Sequence, residues 1–183
     1  MICYLVRHGK DDDSVRGGWS DSPLTRDGIT QVEKLSEKLK TVENLNISAI
    51  YTSDLRRAKE TADILAAALK KPIIEMPEFR ETNNGLLAGM NNKEADLRYP
   101  GLYWNALDWE QSYPGGESPA AFCGRIAAAW KAFKSVVQKD QNVMLVTHGG
   151  VINVICCIEN GIPYSNKTNS FPMRNAEIVA IEI

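Results

Sequence analysis

Histidine is scarce in this sequence, which carries only His8 and His148 among 183 residues. Two imidazoles leave too few ligands for a histidine-built metal centre. Cysteine is sparse too: Cys3, Cys123, Cys156 and Cys157 show neither a metal-like spacing nor a disulfide framework. The neighbouring Cys156 and Cys157 read as small apolar packing groups. No apolar run approaches the roughly 18 residues that a bilayer span requires. No basic leader precedes an apolar stretch at Met1–Tyr4, so no signal peptide is expected. A net charge of -2 gives no general attraction to nucleic acid or to an anionic membrane. What remains is a cytoplasmic globular protein, and a hydrophobic content of 44% suits a packed core. The length suits one domain over residues 1–183.

Both histidines stand at the end of a short apolar run. Ile2-Cys3-Tyr4-Leu5-Val6 leads into Arg7-His8-Gly9, and Val143-Met144-Leu145-Val146-Thr147 leads into His148-Gly149-Gly150. Such runs bounded by glycine read as buried strands of a parallel sheet. Ligands of open α/β sheets bind beyond the carboxyl ends of the strands. The pattern therefore predicts that both imidazoles emerge at one sheet edge.

Between these runs, strand-like and helix-like segments alternate. Thr25 caps a helix whose apolar stripe is Val32, Leu35, Leu39 and Val42. Ile47–Tyr51 is the second strand, and Ser53 caps a helix carrying Leu55, Ala58, Ala62, Leu65 and Leu69. Pro72–Met76 is a weaker strand. An irregular, cap-like excursion then covers about 82–116, with short helices only. A long helix from about Ser118 to Lys139 buries Phe122, Ile126, Trp130, Phe133 and Val137. After Val143–Thr147 come a helix from about Val151 and a last strand near Glu177–Ile183. The expected fold is α/β: a mainly parallel sheet with helices on both faces.

Arg7 supplies a planar cation that suits phosphate or carboxylate oxygens. His8 supplies a nucleophile or base, and nearby arginines favour its neutral form. In Ser53-Asp54-Leu55-Arg56-Arg57-Ala58, Arg56 falls nearly opposite the apolar stripe at about 100° per residue, whereas Arg57 falls on its flank with Thr61. Arg57 is expected over the sheet edge and Arg56 in water.

Arg7-His8-Gly9, Pro23-Leu24-Thr25-Arg26-Asp27-Gly28, Ser53-x-Leu55-x-Arg57-Ala58-x-x-Thr61-Ala62 and Thr147-His148-Gly149 together resemble the histidine phosphatase superfamily, the phosphoglycerate mutase-like family. The resemblance spans most of the chain. It implies that His8 attacks a phosphoryl group and becomes phosphohistidine, that Arg7, Arg57 and His148 hold its oxygens, and that no metal or cofactor is needed. Glu81, in Phe79-Arg80-Glu81, resembles the family's proton donor; read without that likeness, it is a loop carboxylate that Arg80 could pair. Gly18, Trp19 and Gly149 are candidate substrate contacts.

Two features depart from the family pattern. Lys10-Asp11-Asp12-Asp13 follows Arg-His-Gly where many relatives carry Glu or Gln and then Thr or Ser, and the aspartates read as a solvated charge run rather than a magnesium site. Glu117 reads as favourable charge ahead of a helix capped by Ser118 and opened by Pro119, with a site role left open. The aromatics Tyr99, Tyr103, Trp104, Trp109 and Tyr113 either pin the excursion to the sheet or, with Trp19, cover the phosphate pocket and select the substrate. The implied activity is hydrolysis of a small phosphorylated metabolite. Mutase-type phosphoryl transfer and a non-catalytic phosphate-binding module are the alternatives.

Overall fold

The computed structural model describes residues 1–42, 45–137 and 141–183. Along the chain run Ile2–Arg7 (β1), Arg26–Lys40 (α1), Ile47–Thr52 (β2), Arg56–Leu69 (α2), Ile73–Glu75 (β3), Asn92–Arg98 (α3), Pro119–Val136 (α4), Asn142–Thr147 (β4), Gly149–Glu159 (α5) and Ile178–Glu182 (β5). The strands form one sheet in the order β3-β2-β4-β1-β5. Four are parallel, and β5 joins β1 antiparallel. This is the mainly parallel α/β sheet that the alternation predicts.

The period-2 geometry of strands divides the core. Cys3, Leu5, Val143 and Leu145 face α4 and α5, packing with Phe122, Ile126, Trp130, Phe133 and Val151. Val6, Met144 and Val146 face the opposite side and pack on Val32, Leu35, Leu39, Ala58, Ala62 and Leu65. Helices thus cover both faces. Cys156 and Cys157 are buried free thiols.

Local signals set most boundaries. Thr25 Oγ1 accepts from Gly28 N at 3.1 Å and caps α1. Ser118 Oγ accepts from Ala121 N at 3.1 Å, with Pro119 in the first turn of α4. The predicted stripe of α1 runs one turn too far: the helix ends at Lys40, and Val42 is exposed. The predicted end of α4 at Lys139 lies outside the described residues, and the helix closes at Val136. Ser53 does not cap α2, whose N-cap is Leu55; its hydroxyl is turned to His148 instead. Residues 82–116 carry only α3 and a 3₁₀ turn at Gly85–Leu87 as helix. Among the described residues no helix is long and apolar enough to cross a membrane.

One relationship positions everything that follows. In the parallel pair β1–β4, Arg7 is level with Thr147, so His8 and His148 leave adjacent strands at the same height. From there β1 leads to α1 on one face, while β4 leads to α5 on the other. Such a switch point opens a crevice between the two strand ends.

Candidate active site

His8 is held by its neighbours in one tautomer. Its Nδ1 lies 2.7 Å from the carbonyl oxygen of Gly9. A carbonyl only accepts, so Nδ1 carries the proton and Nε2 keeps a lone pair. Arg57 Nε donates to that Nε2 at 3.2 Å. The ring is 4% exposed. Burial first, then the Arg57 cation, with a smaller push from Arg7, holds the imidazole well below its usual value of 6.5. His8 is therefore neutral at pH 7.

Arg57 is buried to 2% exposure, and each of its three guanidinium nitrogens donates a hydrogen bond, leaving further Nη protons unused. Nη2 donates to the Gly18 carbonyl at 2.7 Å, and Nη1 donates to the Ser20 carbonyl at 3.2 Å. Arg56, one residue earlier, points outward and pairs with Glu60 at 2.9 Å. The 100° step of the helix separates the two arginines as expected. Gly18 matters through its backbone: φ is +60°, the left-handed region, and a Cβ there would collide with the Asn84 side chain. Asn84 bonds Trp19 N at 3.2 Å and the Gly17 carbonyl at 3.2 Å, which holds this loop around Arg57.

His148 is fully buried, with its ring centroid 5.1 Å from that of His8. Its Nε2 lies 2.9 Å from Ser53 Oγ. That oxygen also accepts from Leu55 N at 3.3 Å, and we assign its own proton to the bond with Nε2. The proton of His148 then sits on Nδ1, which has no hydrogen-bond partner among the described residues. Burial, then Arg57, then His8 keep this imidazole well below 6.5 as well. Arg7 donates from Nη1 to the Met173 carbonyl at 2.6 Å, and its buried Nε likewise has no partner among the described residues. Two buried N–H groups without acceptors beside two cations make a receptor for an anion's oxygens.

Glu81 reaches the same place from the loop after β3. Its carboxylate accepts Gly150 N at 3.0 Å on one oxygen and Thr82 N at 3.0 Å on the other. A Cβ on Gly150 would run into this carboxylate and push it aside, so the glycine leaves room for Glu81 at the first turn of α5. Arg80 does not pair with Glu81; it pairs with Asp54 and lies 4.8 Å over the Trp19 ring. Trp19 Nε1 donates to the Glu81 carbonyl at 2.6 Å, which makes Trp19 a support of that loop. Gly149 starts α5, and a Cβ there would lie 3.5 Å from Arg7 Nε.

Four contributions were not foreseen in the sequence. Asp11 turns inward, with Oδ2 3.4 Å from Arg57 Nε, while Asp12 and Asp13 are exposed; the solvated run holds for two of the three. Ser53 orients His148. Arg125 binds Glu117 at 2.7 Å and donates to the carbonyls of Glu78, Arg80 and Glu81, clamping the loop that bears Glu81. Glu117 thereby serves Arg125 rather than the imidazoles. The signal for Arg125 was present, since it is the only charge in the otherwise apolar Pro119–Trp130. The fourth contribution is the stretch 164–169.

A cavity of about 600 Å³ opens beside Glu81 and Gly150. Gly18, Tyr103, Trp104 and Tyr113 line it, and 164–169 form another wall. Trp104 stacks on Tyr113 with centroids 6.1 Å apart. Tyr99 packs instead against Leu87, Leu107 and Tyr113, and Trp109 is 42% exposed, tilted against Tyr164. Of the five aromatics, Tyr103, Trp104 and Tyr113 thus line the cavity, whereas Tyr99 and Trp109 do not, and neither does Trp19. Among the described residues no cluster of three or more His, Cys, Asp or Glu side chains offers a metal site.

Residues 3–183 match the family model described as histidine phosphatase superfamily (branch 1). A probable phosphoglycerate mutase of Proteus mirabilis is 31% identical over 98% of this chain and 83% of its own length. A metal-independent phosphoserine phosphatase of Arabidopsis thaliana is 33% identical over 82% of this chain and 65% of its own. Among solved structures, a mycobacterial glucosyl-3-phosphoglycerate phosphatase superposes with a TM-score of 0.81 at 27% identity, covering 99% of this chain and 89% of that one.

Proposed function

Because the chain belongs to the histidine phosphatase superfamily, branch 1, we propose that it hydrolyses a small phosphomonoester through a phosphohistidine on His8, without a metal. The observation that carries this reading is the neutral Nε2 of His8, which keeps a lone pair at the centre of two arginines and a second imidazole. That nitrogen attacks phosphorus, forming an N–P bond as the ester P–O bond breaks. Arg7, Arg57 and the Nδ1–H of His148 take the phosphoryl oxygens, and their fixed positions favour the charge that spreads over them in the transition state. Glu81 gives a proton to the leaving oxygen. In the second half it takes a proton from water as the water oxygen bonds to phosphorus and the N–P bond breaks. Inorganic phosphate leaves and His8 is restored.

The phosphatase names of two relatives support hydrolysis. Phosphate isomerisation is the second reading, favoured by the likeness to a probable mutase. A denaturing quench at alkaline pH during turnover of an aryl phosphate in EDTA tests the proposal. The expected result is acid-labile phosphate on His8, release of inorganic phosphate, and loss of both in His8→Ala. Undiminished turnover in His8→Ala, or loss in EDTA reversed by a divalent ion, overturns it. Phosphate retained and passed to a second acceptor, with none released, establishes the mutase reading.

A further inference from the structure

The three consecutive aspartates after Gly9 have different fates. Asp12 accepts from Ser14 N at 2.9 Å and Asp13 lies 3.4 Å from Lys10, both at the surface. Asp11 instead places Oδ2 3.4 Å from the Arg57 Nε that also donates to His8 Nε2. The carboxylate is therefore one N–H away from the reacting nitrogen, on the same arginine that would hold the phosphoryl group. Its backbone is placed independently. Asp11 bridges to Leu24, and the Lys10 amide and carbonyl before it are bonded to Gln31 at 3.0 Å and Thr25 at 2.8 Å.

An anionic carboxylate beside a pocket for anions is a conflict unless one of the two carries a proton. Phosphate resolves it and sulfate does not. A phosphomonoester has its second ionisation near pH 6, so a protonated P–OH is accessible at neutral pH, whereas sulfate carries no proton there. We infer that Asp11 selects the protonation state of the bound anion: its carboxylate accepts a hydrogen bond from one P–OH, so that the pocket admits protonated phosphate and rejects fully ionised oxyanions. The inference rests on the reading that phosphate occupies the His8–Arg57 pocket. The charged groups acting on this carboxyl are Arg57 on α2, Arg7 at the end of β1 and Asp12 beside it in the loop. Burial lifts Asp11 above the usual carboxylate range and outweighs the pull of Arg57, which suits a proton shared with the ligand. Asp11 is thus a specificity-determining residue, and the charge it adds also hastens departure of dianionic product.

Calorimetric binding of inorganic phosphate and of sulfate at one neutral pH, which needs no turnover, tests this in the intact protein, Asp11→Asn and Asp11→Ser. The intact protein is expected to prefer phosphate by about tenfold or more, and both variants to bind sulfate about tenfold tighter with a smaller change for phosphate. Phosphate binding to the intact protein is further expected to take up a proton, read from the dependence of the heat on buffer ionisation, which keeps the test decisive should either variant fail to fold. Sulfate affinity equal in the intact protein and a folded variant, or no proton uptake, overturns the inference. The pocket is tested separately by Arg57→Ala. If that variant loses phosphate binding while the preference is indifferent to Asp11, this inference alone fails. If the intact protein binds neither anion, the phosphate-pocket reading fails with it.

Discussion

Arg57 Nε donates to His8 Nε2 across 3.2 Å, although 49 positions separate the two residues. The bond fixes which nitrogen of His8 keeps its lone pair, and it brings α2 to the switch point between β1 and β4. The same guanidinium ties down the Gly18 and Ser20 carbonyls. Loss of this one side chain therefore acts on the reacting atom and on the loop around it.

Arg57→Ala is expected to lower kcat/KM by about a hundredfold or more. It also leaves the buried Ser20 carbonyl without that donor, at about 1–3 kcal/mol, and the partly buried Gly18 carbonyl at less. Arg56→Ala removes an exposed pair with Glu60 and should change stability by less than about 1 kcal/mol, with activity near normal. Steady-state kinetics and urea unfolding of the two variants check this. Equal kinetic losses would refute the separation.

Glu81→Gln should slow alkyl phosphates far more than aryl phosphates, since an aryl leaving oxygen needs less help from an acid. Gly150→Ala is expected to copy that signature, because the added methyl displaces the Glu81 carboxylate while touching neither imidazole. The ratio of kcat for the two ester types is the measurement. A Gly150→Ala enzyme with an unchanged ratio would separate Glu81 from the proton transfer.

Both imidazoles are held neutral by burial and by Arg57. The unfolded chain protonates them as pH falls through about 6.5, and the folded chain does so only at much lower pH. Proton uptake then favours the unfolded state, so stability is greatest above 6.5 and declines as pH falls below it. Each histidine contributes up to about 1.4 kcal/mol per pH unit across that window. Imidazole resonances should show both rings neutral at about pH 6, and chemical unfolding should give a lower free energy near pH 5.5 than at 7. A titration of either ring at its ordinary value would contradict the buried cluster.

Trp104→Leu should reorder a panel of phosphorylated metabolites while inhibition by inorganic phosphate stays within about twofold, because Trp104 lines the cavity outside the phosphate pocket. Trp109→Ala, at an exposed position that does not line the cavity, should leave the order intact. Competition kinetics across the panel decide between them. A common scaling of all substrates by the Trp104 change would make the ring structural.

The sheet, its helices and the four central residues of the site were legible in the sequence because each depends on short-range regularity. Val143–Thr147 announces a buried strand by its unbroken apolar run, and the turn after it needs glycine. The 100° step of α2 sends Arg57 inward and Arg56 outward whatever the chain packs against. Parallel strands emerging at one edge then bring His8 near His148 by topology alone. Tertiary structure decided the rest. Nothing in Asp11-Asp12-Asp13 distinguishes the first carboxylate from its neighbours; it differs only because the loop is pinned at Leu24 and Arg57 arrives from another element. Ser53 looked like a cap because its hydroxyl suits one, but a buried imidazole 95 positions away claims it. The hold of Arg125 on the Glu81 loop and the wall formed by 164–169 arise between segments that share no local pattern. Periodicity and turn chemistry act over a few residues, and the partner of a buried polar group is set by whichever distant element the fold delivers to it.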